Sequence, residues 1–188
     1  MEAVKYTSTV TAYKNTWVAE SRSYQNTYTN PVVVGQVMSD NDSNWSVFWS
    51  MGASAGSPTD SANLNVGKHV GEDPNKTRAD ETIGYIVIES GTGTIDGIGY
   101  EAGIGADNVQ GVTNSSTPYI YNLSGDLSNA SAAAVSQTGM DGIDGSWAVL
   151  AGSPAFSTTT IGIYACEDRL SDAEQKHTTE QVAYLIFE

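Results

Sequence analysis

The sequence predicts an all-β protein of two tandem antiparallel β-sandwich modules that are related by internal duplication. The composition favours β structure, because Gly, Ser, Thr, Asn, Tyr, Val and Ile are residues of strands and turns rather than of helices. Only 16% of the residues are charged. The duplication is indicated by four stretches of sequence that recur in the same order.

The recurring stretches divide the chain into two modules. They are, in chain order, 33–36 with 134–137, 42–47 with 144–149, 66–73 with 161–168, and 81–89 with 180–188. The gaps between them fall in stretches rich in Gly, Ser, Pro and Asp, where loops are expected. We therefore expect a first module at 1–91 and a second at 92–188, with the boundary in the unstructured stretch near 91–94.

The repeat also decides how each module ends. Residues 174–185, taken alone, suit an amphipathic helix. The matching stretch of the first copy contains Pro74 and Gly84, which disfavour a continuous helix. Both copies are therefore predicted to end in a central strand, at 82–89 and 181–188, whose two faces are both apolar. The other strands are predicted near 6–12, 16–24, 31–38, 45–51 and 62–71, and near 98–102, 107–112, 118–123, 131–138, 146–150 and 159–166.

The charge of the chain excludes several classes of partner. There are 22 acidic against 8 basic residues, for a net charge of −14. Such a surface repels nucleic acid and anionic membranes. No apolar run is long enough to predict membrane insertion, and the single cysteine, Cys166, allows no internal disulfide. The composition is typical of an extracellular or cell-surface protein.

No catalytic residue is assigned. The stretch 52–56 matches a nucleophile elbow, but the turn residues Ser57 and Pro58 follow it where the motif requires a helix.

Acidic residues recur at one corner of each module, and their role has three interpretations. They are Glu72, Asp73 and Glu81 in the first copy and Glu167, Asp168 and Glu180 in the second. In a structural interpretation, Arg78 or His177 neutralises the carboxylates and Glu180 caps backbone N–H groups. Alternatively, the oxygens bind calcium, the one cofactor that the sequence suggests, or two carboxylates form a glycosidase-like pair.

Aromatic residues supply the candidate ligand contacts. Trp45 and Trp147 recur at the same point and are expected in the core. Trp49 is not duplicated, and we consider it a platform for a sugar ring. Tyr119 and Tyr121 suit a contact surface.

Several stretches resemble the H-type lectin domain and related modules of secreted microbial proteins. The resemblance lies in 30–34 followed by a Trp-Val strand, in 139–150, and above all in 177–188. It implies small antiparallel β-sandwiches that often form trimers and bind galactose-type sugars at subunit edges. His177, and Arg78 in its place in the first copy, are also candidate ligand contacts.

Three functions follow as hypotheses. The first is a non-catalytic extracellular glycan-binding or adhesive module. The second is a structural subunit of a fibre or surface assembly that forms by strand exchange, with the N-terminal segment joining a neighbour's sheet. The third is a polysaccharide hydrolase. The expected partners are glycans or copies of the chain itself, in a homo-oligomer.

Overall fold

The protein is all-β, as the sequence predicts. The structure, a computed structural model, describes residues 1–188 and contains no helix. No segment therefore forms a helix that would cross a membrane. The strands are β1 (Glu2–Ser8), β2 (Thr11–Ala12), β3 (Glu20–Arg22), β4 (Pro31–Val37), β5 (Val47–Met51), β6 (Leu64–His69), β7 (Glu81–Glu89), β8 (Gly91–Ile95), β9 (Ile98–Ile104), β10 (Tyr119–Asn122), β11 (Ala132–Gln137), β12 (Trp147–Leu150), β13 (Thr160–Cys166) and β14 (Val182–Phe187).

Strands β1–β7, here called the first half, form two sheets around one core. The first sheet has the order β1-β7-β4, and all of its pairs are antiparallel. In the second sheet β6 pairs with β3 and β5, and the short β2 runs parallel to it. Alternate residues of facing strands, including Val33, Val87 and Val66, meet in the core between the sheets.

Strands β8–β14, the second half, repeat this pairing. The order β11-β14-β9 corresponds to β4-β7-β1, and β10-β13-β12 corresponds to β3-β6-β5. Strand β8 is an addition at the outer edge of β9. The same pairing order in both halves is what a duplication would leave. The duplication and the division into 1–91 and 92–188 stay predictions.

The strand register shifts one of the sequence matches by one residue. Val34 lies opposite Ile86 of β7, and Ala134 lies opposite Leu185 of β14. Since Ile86 and Leu185 are equivalent, Val34 corresponds to Ala134 rather than to Val135. A shift of one residue exchanges the two faces of a strand, so the corrected match puts three alanines of β11 where β4 has three valines.

The sheets β1-β7-β4 and β11-β14-β9-β8, here called the first and second main sheets, pack on each other through their outer faces. Val32, Val34 and Ile88 of the first half contact Ala183 and Leu185 of the second in one apolar cluster. Nearby, Gly35 N–H donates to Ser136 Oγ at 2.9 Å, which joins the facing edges of β4 and β11. The equivalent tryptophans, Trp45 and Trp147, contact each other with ring centroids 5.5 Å apart. The halves therefore meet through an apolar cluster, a hydrogen bond and an aromatic pair.

Most of the strand predictions are confirmed, and three details are wrong. The first strand lies at Glu2–Ser8 rather than 6–12. In 107–112 only Val109 and Gly111 form isolated bridges. The predicted linker at 91–94 belongs to β8, because the Asp96-Gly97 turn, with positive φ at both residues, folds β8 back onto β9.

Leu185→Ala tests whether the halves pack as observed. Leu185 is 1% exposed on the outer face of β14, so we expect its truncation to lower the free energy of unfolding by about 3 kcal/mol. Ile98→Ala, at a residue that is 51% exposed, is the control and is expected to cost under about 0.5 kcal/mol. Urea denaturation measures both, and equal small effects would contradict the packing.

Candidate functional site

Glu81, at the start of the central strand β7, holds the loop that follows β4. Its carboxylate accepts the backbone N–H groups of Asn41 and Asp42 at 3.0 and 2.9 Å, together with the Ser39 hydroxyl. Burial by itself raises the pKa of Glu81, but these hydrogen bonds outweigh it and hold the pKa below its usual value. The side chain therefore stays ionised and closes the end of the sheet.

Glu180 plays the same part at the start of β14. It accepts the N–H groups of Asp141 and Gly142 at 3.0 and 2.9 Å, and His177 Nε2 lies 2.7 Å from its Oε1. The other ring nitrogen, Nδ1, contacts Glu167. A Cβ on Gly142 would collide with the imidazole ring. The loop can approach this closely only because residue 142 is a glycine.

His177 is the buried cation between these two carboxylates. Burial lowers its pKa, but the hydrogen bonds to Glu167 and Glu180 prevail and raise the pKa from 6.5 to about 9. The imidazolium is therefore present at neutral pH and donates a hydrogen bond to each glutamate.

Two further pairs of glutamates hold loops in the same way. Glu2 accepts Gln25 N–H at 2.7 Å, and Glu101, at the equivalent point of β9, accepts Ser124 N–H at 2.9 Å. At the far end of the central strands, two more carboxylates bind the loops before β4 and β11. They are Glu89, with Asn30 N–H at 2.7 Å, and Glu188, with Ser128 N–H at 2.6 Å. Three pairs of glutamates, with one member of each pair at the same position in each half, therefore accept loop amides.

The aspartates of the two corners order local turns. Asp73 Oδ1 accepts Asn75 N–H at 2.8 Å, and its Oδ2 pairs with Arg78 at 2.7 Å. Asp168 accepts Leu170 N–H at 2.9 Å through Oδ1 and Glu72 N–H at 3.0 Å through Oδ2. The Asp168 contact joins the second corner directly to the first.

Lys14 adds a second link between the corners. Its ammonium lies 3.0 Å from Glu72 and 3.1 Å from Asp144, one carboxylate from each half. Sequence reasoning grouped the corner residues within each copy but missed that the corners meet, since no repeat pattern encodes contacts between copies.

The corners do not gather into a metal centre. No group of three or more His, Cys, Asp or Glu side chains is placed to hold a metal ion. The carboxylates are occupied instead by backbone amides, Arg78, His177 and Lys14. Calcium at Glu72, Asp73, Glu81, Glu167, Asp168 or Glu180 would have to displace these contacts, and it stays a prediction.

Trp49 does not form a platform for a sugar, which corrects the hypothesis from the sequence. The indole is fully buried with Ala12 and Met140 in a cluster that spans the halves. The Trp17 ring packs against it edge-on at 5.9 Å. Its burial follows from residues far from it in the chain, since Met140 comes from the second half and Trp17 from the loop before β3.

Three of the other four candidate ligand contacts also lie inside the protein. Tyr121 is 5% exposed, and its hydroxyl donates to Ala106 O at 2.8 Å. Tyr119 is half-buried and donates to Gln110. The side chains of Arg78 and His177 are 0% and 2% exposed. Of these groups, only Tyr119 reaches the surface.

An apolar cleft of about 680 Å³ lies on the outer face of the first main sheet, where the second half borders it. Its floor and rim come from four strands and one loop residue. The lining residues include Ala3, Lys5, Gly84, Ile86, Val34, Gln36, Met38, Ala134 and Ser136. A cleft of this size with few polar groups is the usual form of a binding site.

The cleft is open because β11 carries small side chains. Val32 and Val34 of β4, in the first half, cover the outer face of the second main sheet. The residues in the same positions of β11, Ala132 and Ala134, are exposed and reach too little of the first sheet. Sequence reasoning missed this site because the sequence match, which is one residue out of register, set Val34 against Val135 rather than against Ala134.

The outer edge of β1 is unpaired. Met38 N–H donates to Thr82 O, so the even-numbered residues of β7 turn their backbone groups toward β4. The odd-numbered residues of β7 therefore turn their backbone groups toward β1, where even-numbered residues lie opposite them. In an antiparallel ladder the backbone groups of a strand alternate between its two sides, so the odd-numbered residues of β1 face outward. The N–H and C=O groups of Ala3, Lys5 and Thr7, all exposed, therefore point away from the sheet.

The outer edge of β8 is unpaired as well. Glu188 N–H donates to Gly99 O, so Gly99 faces β14 and does not bond to Thr94 opposite it in β8. The backbone groups of Thr92 and Thr94 therefore point to solvent, and both residues are exposed. The outermost strand of each main sheet thus offers a free edge.

A smaller polar depression of about 290 Å³ lies between the loop before β4 and the loop before β6. Hydroxyl, amide and carboxylate groups line it, among them Thr29, Asn30, Thr59, Asp60 and Ser90. Such groups suit the hydroxyls of a sugar, although no aromatic ring lines the depression.

No protein-family model matches the chain, and no curated protein and no solved structure matches it. The resemblance to H-type lectins therefore stays a prediction.

His177→Gln is expected to destabilise the protein in a pH-dependent way. A group whose pKa is raised on folding stabilises fully below its unfolded value and loses this effect as the pH passes its folded value. We expect a loss of about 3 kcal/mol below pH 6.5, which shrinks as the pH rises to about 9. Denaturation at a series of pH values measures it.

The matched control is Arg78→Gln in the first half. A guanidinium does not titrate in this range, so its removal should cost the same across the interval. A penalty for His177→Gln that is equally constant would contradict the role of the imidazolium.

Proposed function

We propose that the protein is a non-catalytic structural subunit of an extracellular assembly, which associates through its open strand edges. The observation that supports this function is the pair of free edges, β1 and β8, one on each main sheet. A free edge offers a row of unpaired N–H and C=O groups to another chain. The glutamates and histidine of the corners serve the fold instead.

Strand β8 suits pairing with β8 of a second copy. Antiparallel pairing about a two-fold axis between Thr92 and Thr94 sets each threonine opposite the other. Cross-strand threonine pairs are favourable, and two-fold pairing is the commonest mode of self-association. The sheet β11-β14-β9-β8 would then continue into its copy.

The net charge opposes this association at low ionic strength. Two copies that each carry a charge of −14 repel one another. Salt screens the repulsion over roughly 10 Å at 0.1 M. The pairing of two five-residue strands should therefore be weak in dilute buffer and should strengthen as salt is added.

Thr94→Lys tests the proposal at the β8 edge. We expect the wild-type protein to dimerise at high concentration, more so with added salt, and Thr94→Lys to stay monomeric because a lysine blocks an edge. Analytical ultracentrifugation over a concentration series measures the dimer.

Ser116→Lys makes the same change of charge at an exposed loop residue and is the control. A wild-type chain that is monomeric under every condition would refute the proposal. Equal behaviour of the two lysine variants would refute the role of β8.

Glycan binding is the second candidate, and the polar depression favours it. Asp60, which accepts Ala62 N–H and Asn63 N–H, is held in one orientation, and Asn30 and Ser90 lie across from it. This arrangement, and not Trp49 or the tyrosines, is where we propose a sugar binds.

A glycan array with and without calcium tests this candidate. Binding that Asn30→Ala weakens while Asn129→Ala, at an exposed loop residue, leaves it unchanged would support it. The absence of binding to any sugar would remove it without affecting the proposal for the strand edges.

A further inference from the structure

We propose that the apolar cleft and the free edge of β1 together bind an extended segment of a partner chain, which alternates aliphatic with polar side chains and meets Lys5 with an acidic one. This inference rests on the proposed function, since it names the partner of the second free edge. It concerns β1, whereas the self-association concerns β8.

The outward-facing backbone groups of β1 lie beside the cleft. Ala3 and Lys5, whose N–H and C=O groups point away from β7, also line the cleft. A segment that pairs with this edge places every second side chain on the face where the cleft lies. Main-chain bonds and a side-chain pocket are thus offered side by side.

The protein itself shows which side chains cover such a face. On the second half, the same outer surface is covered by Val32 and Val34 of a strand, together with Ile88. Val34 and Ile86 belong both to that packed cluster and to the lining of the cleft. The cleft is therefore a continuation of the interface between the halves, and aliphatic side chains from a strand would complete it.

The charge at the rim selects an acidic residue and disfavours a second copy of β1. Lys5 is exposed, and its ammonium forms neither an ion pair nor a hydrogen bond within the protein. It is the one charged residue that lines the cleft. Antiparallel pairing of β1 with itself about Lys5 would set two lysines opposite each other, which destabilises a sheet. The segment that fits has a carboxylate opposite Lys5 and, two residues away, an aliphatic side chain opposite Ala3. It would match both the charge of the rim and the apolar surface of the cleft.

Met38 allows the cleft to adapt to its occupant. Its side chain is 56% exposed and lies over Gly84, where a Cβ would collide with the sulphur. An unbranched thioether repacks at little cost. It can therefore move aside or close over an inserted side chain.

The experiment uses the full chain and a short acetylated, amidated peptide. In the peptide Val and Thr alternate, and one Val is replaced by Glu. Fluorescence anisotropy of the labelled peptide measures binding at a protein concentration at which the chain is monomeric. A scrambled peptide of the same composition is expected to bind at least roughly tenfold more weakly, because it lacks the alternation.

Two variants act on different parts of the site. Ala134→Leu fills the cleft and should weaken binding by roughly tenfold or more, whereas Ala173→Leu, at an exposed loop residue, should not change it. Lys5→Glu should weaken binding of the Glu-containing peptide by roughly fivefold. The variant protein should bind more tightly a peptide in which Lys replaces that Glu. This exchange of preference would not follow from a merely structural role of Lys5.

Each outcome decides between the inferences. Binding of the peptide by a chain that never dimerises supports the site at β1 and refutes self-association at β8. Dimerisation without peptide binding supports self-association at β8 and refutes the site at β1. If a fluorescent long-chain fatty acid binds the cleft while the peptide does not, the site is one for small amphiphiles and the inference is overturned. The inference is also overturned if Ala134→Leu leaves peptide binding unchanged.

Discussion

The fold depends on carboxylates that accept the backbone N–H groups of loops. A chain without helices and with long connections leaves many amides outside the strand ladders, and buried amides need acceptors. Glutamates at the two ends of each central strand, and one on a neighbouring strand, meet this need. Part of the strongly acidic composition is therefore a requirement of the architecture. It is not by itself the sign of a metal site.

The same requirement explains why the corners look functional in sequence but are closed in structure. A carboxylate that already accepts two or three hydrogen bonds has little capacity left for a ligand. Glu81 and Glu180 are in this condition, and each is at most 2% exposed. The backbone groups that have no partner within the sheets lie instead along β1 and β8, and the cleft is mostly apolar. These surfaces are poor in titratable groups, which is why a search for chemistry-bearing residues passes over them.

Much of the fold was predictable from the sequence, and the reasons are specific. Gly84 and Pro74 in the first copy excluded a helix at the end of the second, and β14 is a strand. The central strands were predicted to within one residue, because both of their faces are apolar. The structural interpretation of Glu180 and His177, one of three alternatives, anticipated the contacts that the structure shows.

What could not be predicted is the relation between the halves. The burial of Trp49 follows from Met140 and Trp17, which lie far from it in the chain. The cleft arises from the slight difference in volume between valines and alanines at equivalent positions. Such effects depend on how two sheets are placed, and a pattern of residues along one chain does not record that placement.

The exchange of Arg78 for His177 gives the two halves unequal resistance to alkali. The first half keeps a permanent cation beside Asp73, whereas the cation of the second half loses its proton near pH 9. Above that pH two buried carboxylates, Glu167 and Glu180, lose their shared counter-charge, and the loop at 139–146 loses part of its anchor. We therefore expect the C-terminal half to loosen before the N-terminal half as the pH rises, and a protease to cut the chain first on the C-terminal side.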